Sequence, residues 1–375
     1  MRFVKQLKDD TPRGQTREAL KRMIRTRRYS VGDKLPPYRQ LAQEFGVALL
    51  TLERVMNDLA EEGIVYRLHG KGTFLKRVPD TDHRLQIGLI YPASRTHLLA
   101  APYLNEMMTG VVARCDARHA DLQILSCRAA GGTIPPHDVA TRVDGIILVG
   151  VLSDEYIAQF IAERVPLVLL DAQSETSVYS ICVDNAQAVN LVVSHLHQLG
   201  HRRIAYLDSP WPNYVPGDPR TNATIDCSDN RERREAYLAE MHKLGLSDGT
   251  HVYEAAAGSY EPQIPQAIED LKRGRDAPTA LLAYDATQAS AFCTRAQKAG
   301  LRIPGDVSVA AAVGAGGDRL AGDLLLTYTC ARFREMGRRA MEVLAERICR
   351  RDASRFVERI PCDLISGSTT SAPRR

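Results

Sequence analysis

Long apolar runs, paired cysteines and catalytic signatures are all missing from this chain of 375 residues. No stretch approaches the roughly 20 consecutive apolar residues that span a bilayer, so no membrane segment is expected. The opening "MRFVKQLKDD" is charged where a secretory signal carries an apolar core. The eight cysteines are scattered singly, with no C-x-x-C and no His/Cys cluster. Reduced structural thiols in the cytoplasm are therefore expected, and a zinc site is not. Neither Gly-x-Ser-x-Gly nor the phosphate-cradling G-x-x-x-x-G-K-[S/T] occurs. No acid pair stands beside a plausible nucleophile, so neither an enzyme nor a bound cofactor is expected.

What is present is a lopsided charge. Residues 1–78 hold 17 basic and 9 acidic side chains, whereas the remainder holds 32 basic and 36 acidic. A basic head on a mildly acidic body points to a polyanion such as nucleic acid as partner, or to a solvated basic helix.

The head reads as three helices and a hairpin. Gln15–Tyr29 places Leu20, Met23 and Ile24 on one face, with Arg17, Lys21, Arg22, Arg25 and Arg28 on a solvated or phosphate-facing side. "YSVGDKLPP" breaks that pattern with glycine and proline. A short helix over Pro37–Phe45 ends at Gly46. Residues 48–62 follow, with Leu52, Val55, Met56 and Leu59 at core spacing. Ile64–Leu68 and Thr73–Lys76 flank "HGKG" as a glycine-tipped hairpin.

That order, with "GDKLP", "RQLA", "FGV", "LAEEG" and "HGKGTF" in succession, resembles the GntR family of bacterial regulators over residues 14–77. The resemblance implies a small α+β winged helix-turn-helix domain that binds operator DNA. The positions it implicates are Arg39, then Ala48, Leu49, Leu50, Thr51, Glu53 and Arg54 at the start of the third helix, and His69, Gly70, Lys71, Gly72 and Thr73 in the wing. Arg39 can pair with a phosphate or with guanine O6/N7. Gly70 and Gly72 let the wing backbone approach DNA, and Lys71 adds charge at the tip. The third helix departs from the family, which usually has Ser-Arg where Ala48 and Leu49 stand. Leu49 and Leu50 can meet thymine methyls, and Glu53 can accept from cytosine N4.

Beyond a short linker over 79–84, residues 85–375 alternate β-rich runs with helical segments at 103–118, 153–163, 185–199, 230–244, 262–274 and 286–299. That alternation implies parallel sheets in an α/β body, and the number of strands implies two lobes. "IGLIYP", "VDGIILVG", "PLVLLD", "NRERREAYLAEM", "IPGDVSVAAAVG" and "LISGSTT" resemble the effector domain of LacI/GalR regulators. The resemblance implies two Rossmann-like lobes of the type I periplasmic-binding-protein kind, joined by three crossings near 183, 314 and 331. Lobe 1 is then about 85–183 plus 314–331, and lobe 2 about 184–313 plus 332–375.

Ligands in such folds sit at the carboxyl ends of the strands. The resemblance makes Arg233 a cleft residue whose guanidinium suits vicinal hydroxyls or a carboxylate. It makes Asp171, at the end of "PLVLLD", an acceptor for sugar hydroxyls. Asp285 either joins them or caps the next helix. Ser94 and Trp211 are further candidates, the tryptophan serving either to stack on a sugar or to pack. His197 and His201 stand four apart, but the family pattern accounts for that stretch without a metal. The expected function is a homodimeric transcription repressor released from operator DNA by a small sugar-like molecule. The alternatives are a sugar-binding or sugar-modifying protein with a vestigial head, and a DNA-binding regulator whose body only dimerises.

Overall fold

The computed structural model describes residues 11–26, 29–77, 84–91, 101–126, 134–150, 154–174, 176, 178–209, 228–254, 263–274, 277–316, 324–350 and 355–374. Among them no helix is long and apolar enough to cross a membrane.

The head contains helices α1 (Pro12–Thr26), α2 (Tyr38–Glu44) and α3 (Leu49–Glu61), then strands β1 (Val65–Leu68) and β2 (Gly72–Leu75). Leu20, Met23 and Ile24 of α1 interlock with Leu41, Leu52, Val55, Met56, Leu59 and Leu75 in one core. Gly46 after α2 and Gly63 after α3 adopt left-handed φ of 62° and 71°, the conformation that ends a helix without a Cβ clash. The strands pair antiparallel from Val65↔Leu75 to Leu68↔Gly72, and Lys34 adds a bridge to Phe74. This is the winged helix-turn-helix expected from the sequence.

The basic side of α1 faces a different partner from the one expected. Arg17 donates to Glu62 at 2.9 Å and Lys21 pairs with Glu62 at 2.7 Å, both across the α1–α3 contact. Arg22 donates to the Thr141 carbonyl at 3.0 Å and faces Asp144 at 3.7 Å, both in the body. The acids of α3 and the body thus engage cations that the sequence left open for phosphate. The side chains of Arg25 and Arg28 lie outside the described residues.

The body holds two six-stranded sheets. In the first the order is β4 (Asp121–Ser126), β3 (Gln86–Tyr91), β5 (Gly145–Val149), β6 (Leu167–Leu170), β7 (Tyr179–Val183) and β13 (Phe356–Ile360), all parallel. In the second it is β9 (Thr250–Tyr253), β8 (Ile204–Leu207), β10 (Ala280–Ala283), β11 (Ser308–Gly314), β12 (Thr327–Ala331) and β14 (Cys362–Ile365). Only β14 runs antiparallel there, against β12. Strands β5, β6, β8, β10 and β11 are buried at every position, as strands covered by helices on both faces are. The covering helices include α4 (Pro102–Ala117), the short α5 (Pro136–Ala140), α6 (Asp154–Ala162), α7 (Asn185–Gln198), α8 (Ser228–Lys243), α9 (Gln263–Lys272), α10 (Ala286–Lys298) and α11 (Phe333–Arg350).

The chain crosses between the sheets three times, near 183 and 331 as expected, but the third crossing is not near 314. After β11 it stays in the second sheet, because β12 pairs in parallel with β11 from Ala310↔Thr327. The crossing expected near 314 is therefore absent. The crossings follow β7, β12 and β13, the last between Ile360 and Cys362. Consequently 327–331 belong to the second lobe, and α11 with β13 belongs to the first, reversing the expected division at those segments. The packing of α11 on α4 explains the return. A Cβ on Gly110 would lie 2.0 Å from the Arg334 carbonyl oxygen, and one on Gly337 2.0 Å from that of Met107. Paired glycines let the two backbones approach so closely that nothing larger fits.

Candidate DNA-reading surface and effector cleft

On the head, Arg39, Ala48, Leu49, Leu50 and Arg54 are exposed, and Thr51 and Glu53 half-buried, along one edge of α2 and α3. Leu50 is 58% and Leu49 37% exposed, although the core stripe of the same helix is sealed. A helix that exposes two adjacent leucines at its entry presents an apolar patch suited to methyl contacts. The wing tip carries exposed His69, Gly70 and Lys71.

Two wing positions do other work. Thr73 is buried, with its hydroxyl 3.1 Å from that of Tyr38, so the side chain packs the wing on α2 rather than reaching a base. A Cβ on Gly72 would lie 2.8 Å from Lys34 Cε, and the φ of 118° favours glycine for a second reason. Sequence reading missed Arg67. It donates to the Tyr38 hydroxyl at 2.9 Å and to Asn57 at 2.5 Å, bracing the wing against α2 and α3. Its place on the exposed side of a short amphipathic strand was the available signal.

In the body, the carboxyl ends of β3, β6, β8 and β10 deliver Tyr91, Asp171, Asp208 and the Tyr284–Asp285 pair. Arg233 of α8 is buried among them. Its Nε donates to Asn185 Oδ1 at 2.8 Å and its Nη1 to the Tyr284 carbonyl at 3.1 Å. Nη2 faces Asp229 at 3.8 Å, and the guanidinium lies 4.3 Å from the centre of the Tyr284 ring. The Tyr284 hydroxyl donates to Asp229. Asp229 precedes Arg233 by one helical turn, and that spacing was the overlooked signal for it.

Asp171 comes from the opposite lobe. It adopts φ of 56°, a left-handed conformation in which aspartate is more tolerated than most residues. Its backbone N–H donates to Ile181 at 2.8 Å. Burial, reinforced by the charge of Asp229 and moderated by Arg233, pushes the carboxyl up to about 6. Burial likewise raises the Tyr91 phenol to about 12, against a hydrogen bond to Tyr103 that lowers it. Asp285 caps α10, accepting from Gln288 N–H at 2.7 Å, while Gln288 reaches back to the Tyr284 N–H at 2.8 Å. Burial raises its carboxyl as well, with Arg233 opposing and Asp229 adding to the effect. Capping and membership of the charged cluster thus coexist at Asp285. Ser94 and Trp211 lie outside the described residues.

A second set of contacts spans the lobes beside the cleft. Glu232 accepts from Arg359 of β13 at 2.8 Å, from Gln173 after β6 at 2.9 Å and from Asn185 at 2.9 Å. Those bonds hold its carboxyl below the usual range despite burial, which acts the other way. His201 belongs to no site of this kind. It is buried between Thr279, Ser308 and the Ser371 carbonyl, stitching the C-terminal segment to the second sheet.

Comparison with known proteins agrees with this division. Residues 12–75 match the family "Bacterial regulatory proteins, gntR family", and 193–370 match "Periplasmic binding protein-like domain". The chain is 29% identical to the HTH-type transcriptional regulator MalR of Streptomyces coelicolor over 303 residues, covering 76% of this chain and 81% of that one. It is 24% identical to the HTH-type transcriptional repressor PurR of Photobacterium profundum over 281 residues, covering 70% and 76%. In fold it is similar to a lac repressor dimer solved with operator and the anti-inducer ONPF, at a TM-score of 0.61 and 22% identity, covering 78% of this chain and 96% of that one. A GntR-type head and a periplasmic-binding-protein-like body of the kind found in LacI-family regulators thus make this chain a transcription regulator with a ligand-binding domain.

Proposed function

We propose that this regulator is a homodimeric repressor, released from its operator by a small sugar-like molecule bound between the lobes. Residues 1–78 form the operator-binding unit, 79–84 the linker and the rest the effector and dimerisation unit. Arg39, Ala48, Leu49, Leu50, Thr51, Glu53 and Arg54 face the major groove, and His69, Gly70, Lys71 and Gly72 the neighbouring backbone. Asp171, Arg233 and Asp285 face the effector.

The observation that carries this reading is that a buried Asp171 from one lobe lies in the electrostatic field of Arg233 and Asp229 from the other. A polar molecule that satisfies both sides is held best when the lobes approach. Such a ligand shifts the population toward the closed arrangement by its differential affinity. The head follows lobe 1 through the contacts of Arg22 with Thr141 and Asp144. In a two-fold dimer, movement of one lobe against the other respaces the two heads. Half-sites about one helical turn apart then lose their match.

The test is Arg233→Ala in the full chain, with operator binding followed by fluorescence anisotropy against a panel of sugars. The variant is expected to bind operator as wild type does and to ignore a sugar that releases wild type. A normal response to that sugar would remove Arg233 from the effector site.

A further inference from the structure

The charges gathered in the cleft do not balance. Among the described residues Asp229 lies in the field of both Asp171 and Asp285, and Arg233 is the one cation that acts on Asp171 and Asp285. Its Nε donates to Asn185 and its Nη1 to the Tyr284 carbonyl, its Nη2 lies 3.8 Å from Asp229, and its face lies over Tyr284. Among the described residues an anionic ligand would meet a surplus of negative charge around that guanidinium. Asp229 accepts from Tyr284 and Asp285 accepts from the start of α10. Asp171 accepts no side-chain hydrogen bond among the described residues, and it stands in the field of Asp229 from the opposite lobe. Tyr103 stands in the field of all three carboxylates and shares a hydrogen bond with Tyr91.

A second observation is an unpartnered hydroxyl in the same field. The hydroxyl of Tyr206 is fully buried, has no hydrogen-bond partner among the described residues, and lies in the field of Arg233, Asp208, Asp229 and Asp285. A buried hydroxyl left without a partner is costly unless a ligand or water reaches it.

We infer that the effector carries a protonated amine, held between Asp171 and Asp229 with the tyrosines around it, and that phosphorylated or carboxylated sugars are rejected. This rests on the reading of the cleft as a sugar-like site and sharpens it. An ammonium offers donors to Asp171 and Asp229 at once and offsets the charge surplus, which a neutral hydroxyl cannot do. Tyrosine rings beside it add attraction to a cation.

The experiment uses the full chain and matched probes. Glucosamine, glucose and glucose 6-phosphate form one set, and the galactose and mannose equivalents form two more, each titrated by calorimetry at fixed ionic strength. In the set that fits, the amine is expected to bind at least about tenfold more tightly than its neutral parent, and the phosphate not at all. Asp171→Asn, and independently Asp229→Asn, should shrink the amine's advantage to about threefold or less. Asparagine tolerates the left-handed backbone at 171, and circular dichroism and operator binding check that both variants fold. A neutral sugar or its phosphate binding as tightly as the amine would overturn the inference and leave the sugar-like reading standing. If no member of any set binds to protein that still holds operator, both readings fall together.

Discussion

The Nε of Arg233 donates to the Oδ1 of Asn185 at 2.8 Å, fixing the plane of a buried guanidinium from the first turn of the neighbouring helix α7. The Nδ2 of the same amide donates to Glu232 at 2.9 Å, so one side chain orients two adjacent charges of α8. A hydrogen bond to a charged group contributes about 1.5–3 kcal/mol. Asn185→Ala is therefore expected to weaken effector binding by about 10- to 100-fold while leaving operator affinity without effector unchanged. Isothermal titration and anisotropy on the same preparation check both halves, and unaltered effector affinity would show that Arg233 needs no such support.

The exposed leucines of α3 carry a prediction about sequence preference. Replacing Leu49 and Leu50 together by alanine should reduce the preference for thymine-bearing operator positions, where a mismatched base pair costs about 1–3 kcal/mol. Selection of bound sequences from a random pool, compared with wild type, measures this. An identical preferred sequence would move base reading to other residues.

Lys71 should behave differently. Its exposed ammonium at the wing tip suits phosphate contact. Lys71→Ala should weaken binding to all sequences alike and reduce the slope of log affinity against log salt by about 0.9. Thr73→Ala, by contrast, removes a buried hydroxyl facing Tyr38 and should lower the melting temperature of the head without changing that slope.

Gly337→Ala should be among the more damaging small substitutions in the molecule. The added methyl would meet the Met107 carbonyl, a backbone atom that cannot swing aside. Overpacking of this kind costs about 1–3 kcal/mol. Urea unfolding of this variant beside Gly110→Ala measures the loss, and wild-type midpoints for both would mean that α4 and α11 separate easily.

Burial lowers the pKa of His201, with the Ser371 carbonyl opposing the shift. The folded protein then takes up this proton less readily than the unfolded chain, whose histidine titrates near pH ~6.5. Stability is therefore expected to fall as pH drops from that value toward the depressed folded one. Melting curves from pH 7.5 to 5 should show a weaker acid dependence for His201→Gln than for wild type.

Much of this architecture was legible because it is local. The stripe of Leu52, Val55, Met56 and Leu59, the glycines that end α2 and α3, and the alternation of strand and helix all repeat over a few residues. Partners distant in sequence were not legible. Arg17 and Lys21 looked available to DNA because Glu62, which neutralises them, lies far along the chain at the C-terminal cap of α3. The strand "FVERI" carries two adjacent charged residues at a sheet edge, so its apolar signal is weak, and that hid the last crossing. In the cleft Arg233 and Asp171 stood out through resemblance to relatives, whereas Asn185 and Glu232 look like ordinary polar helix residues until the two lobes meet.

The late return of α11 and β13 to the first lobe has a consequence during synthesis on the ribosome. The winged head has all its residues once position 77 has emerged, and the second sheet can gather most of its strands soon after β12. The first sheet cannot close. Until α11 is made the glycine face of α4 has no partner, and until residue 360 is made β7 presents an open edge. Open strand edges invite pairing with other chains. A nascent chain that stalls or terminates after β12 would therefore carry a folded DNA-binding head on an adhesive, unfinished body, and the segment that follows residue 331 acts as the seal.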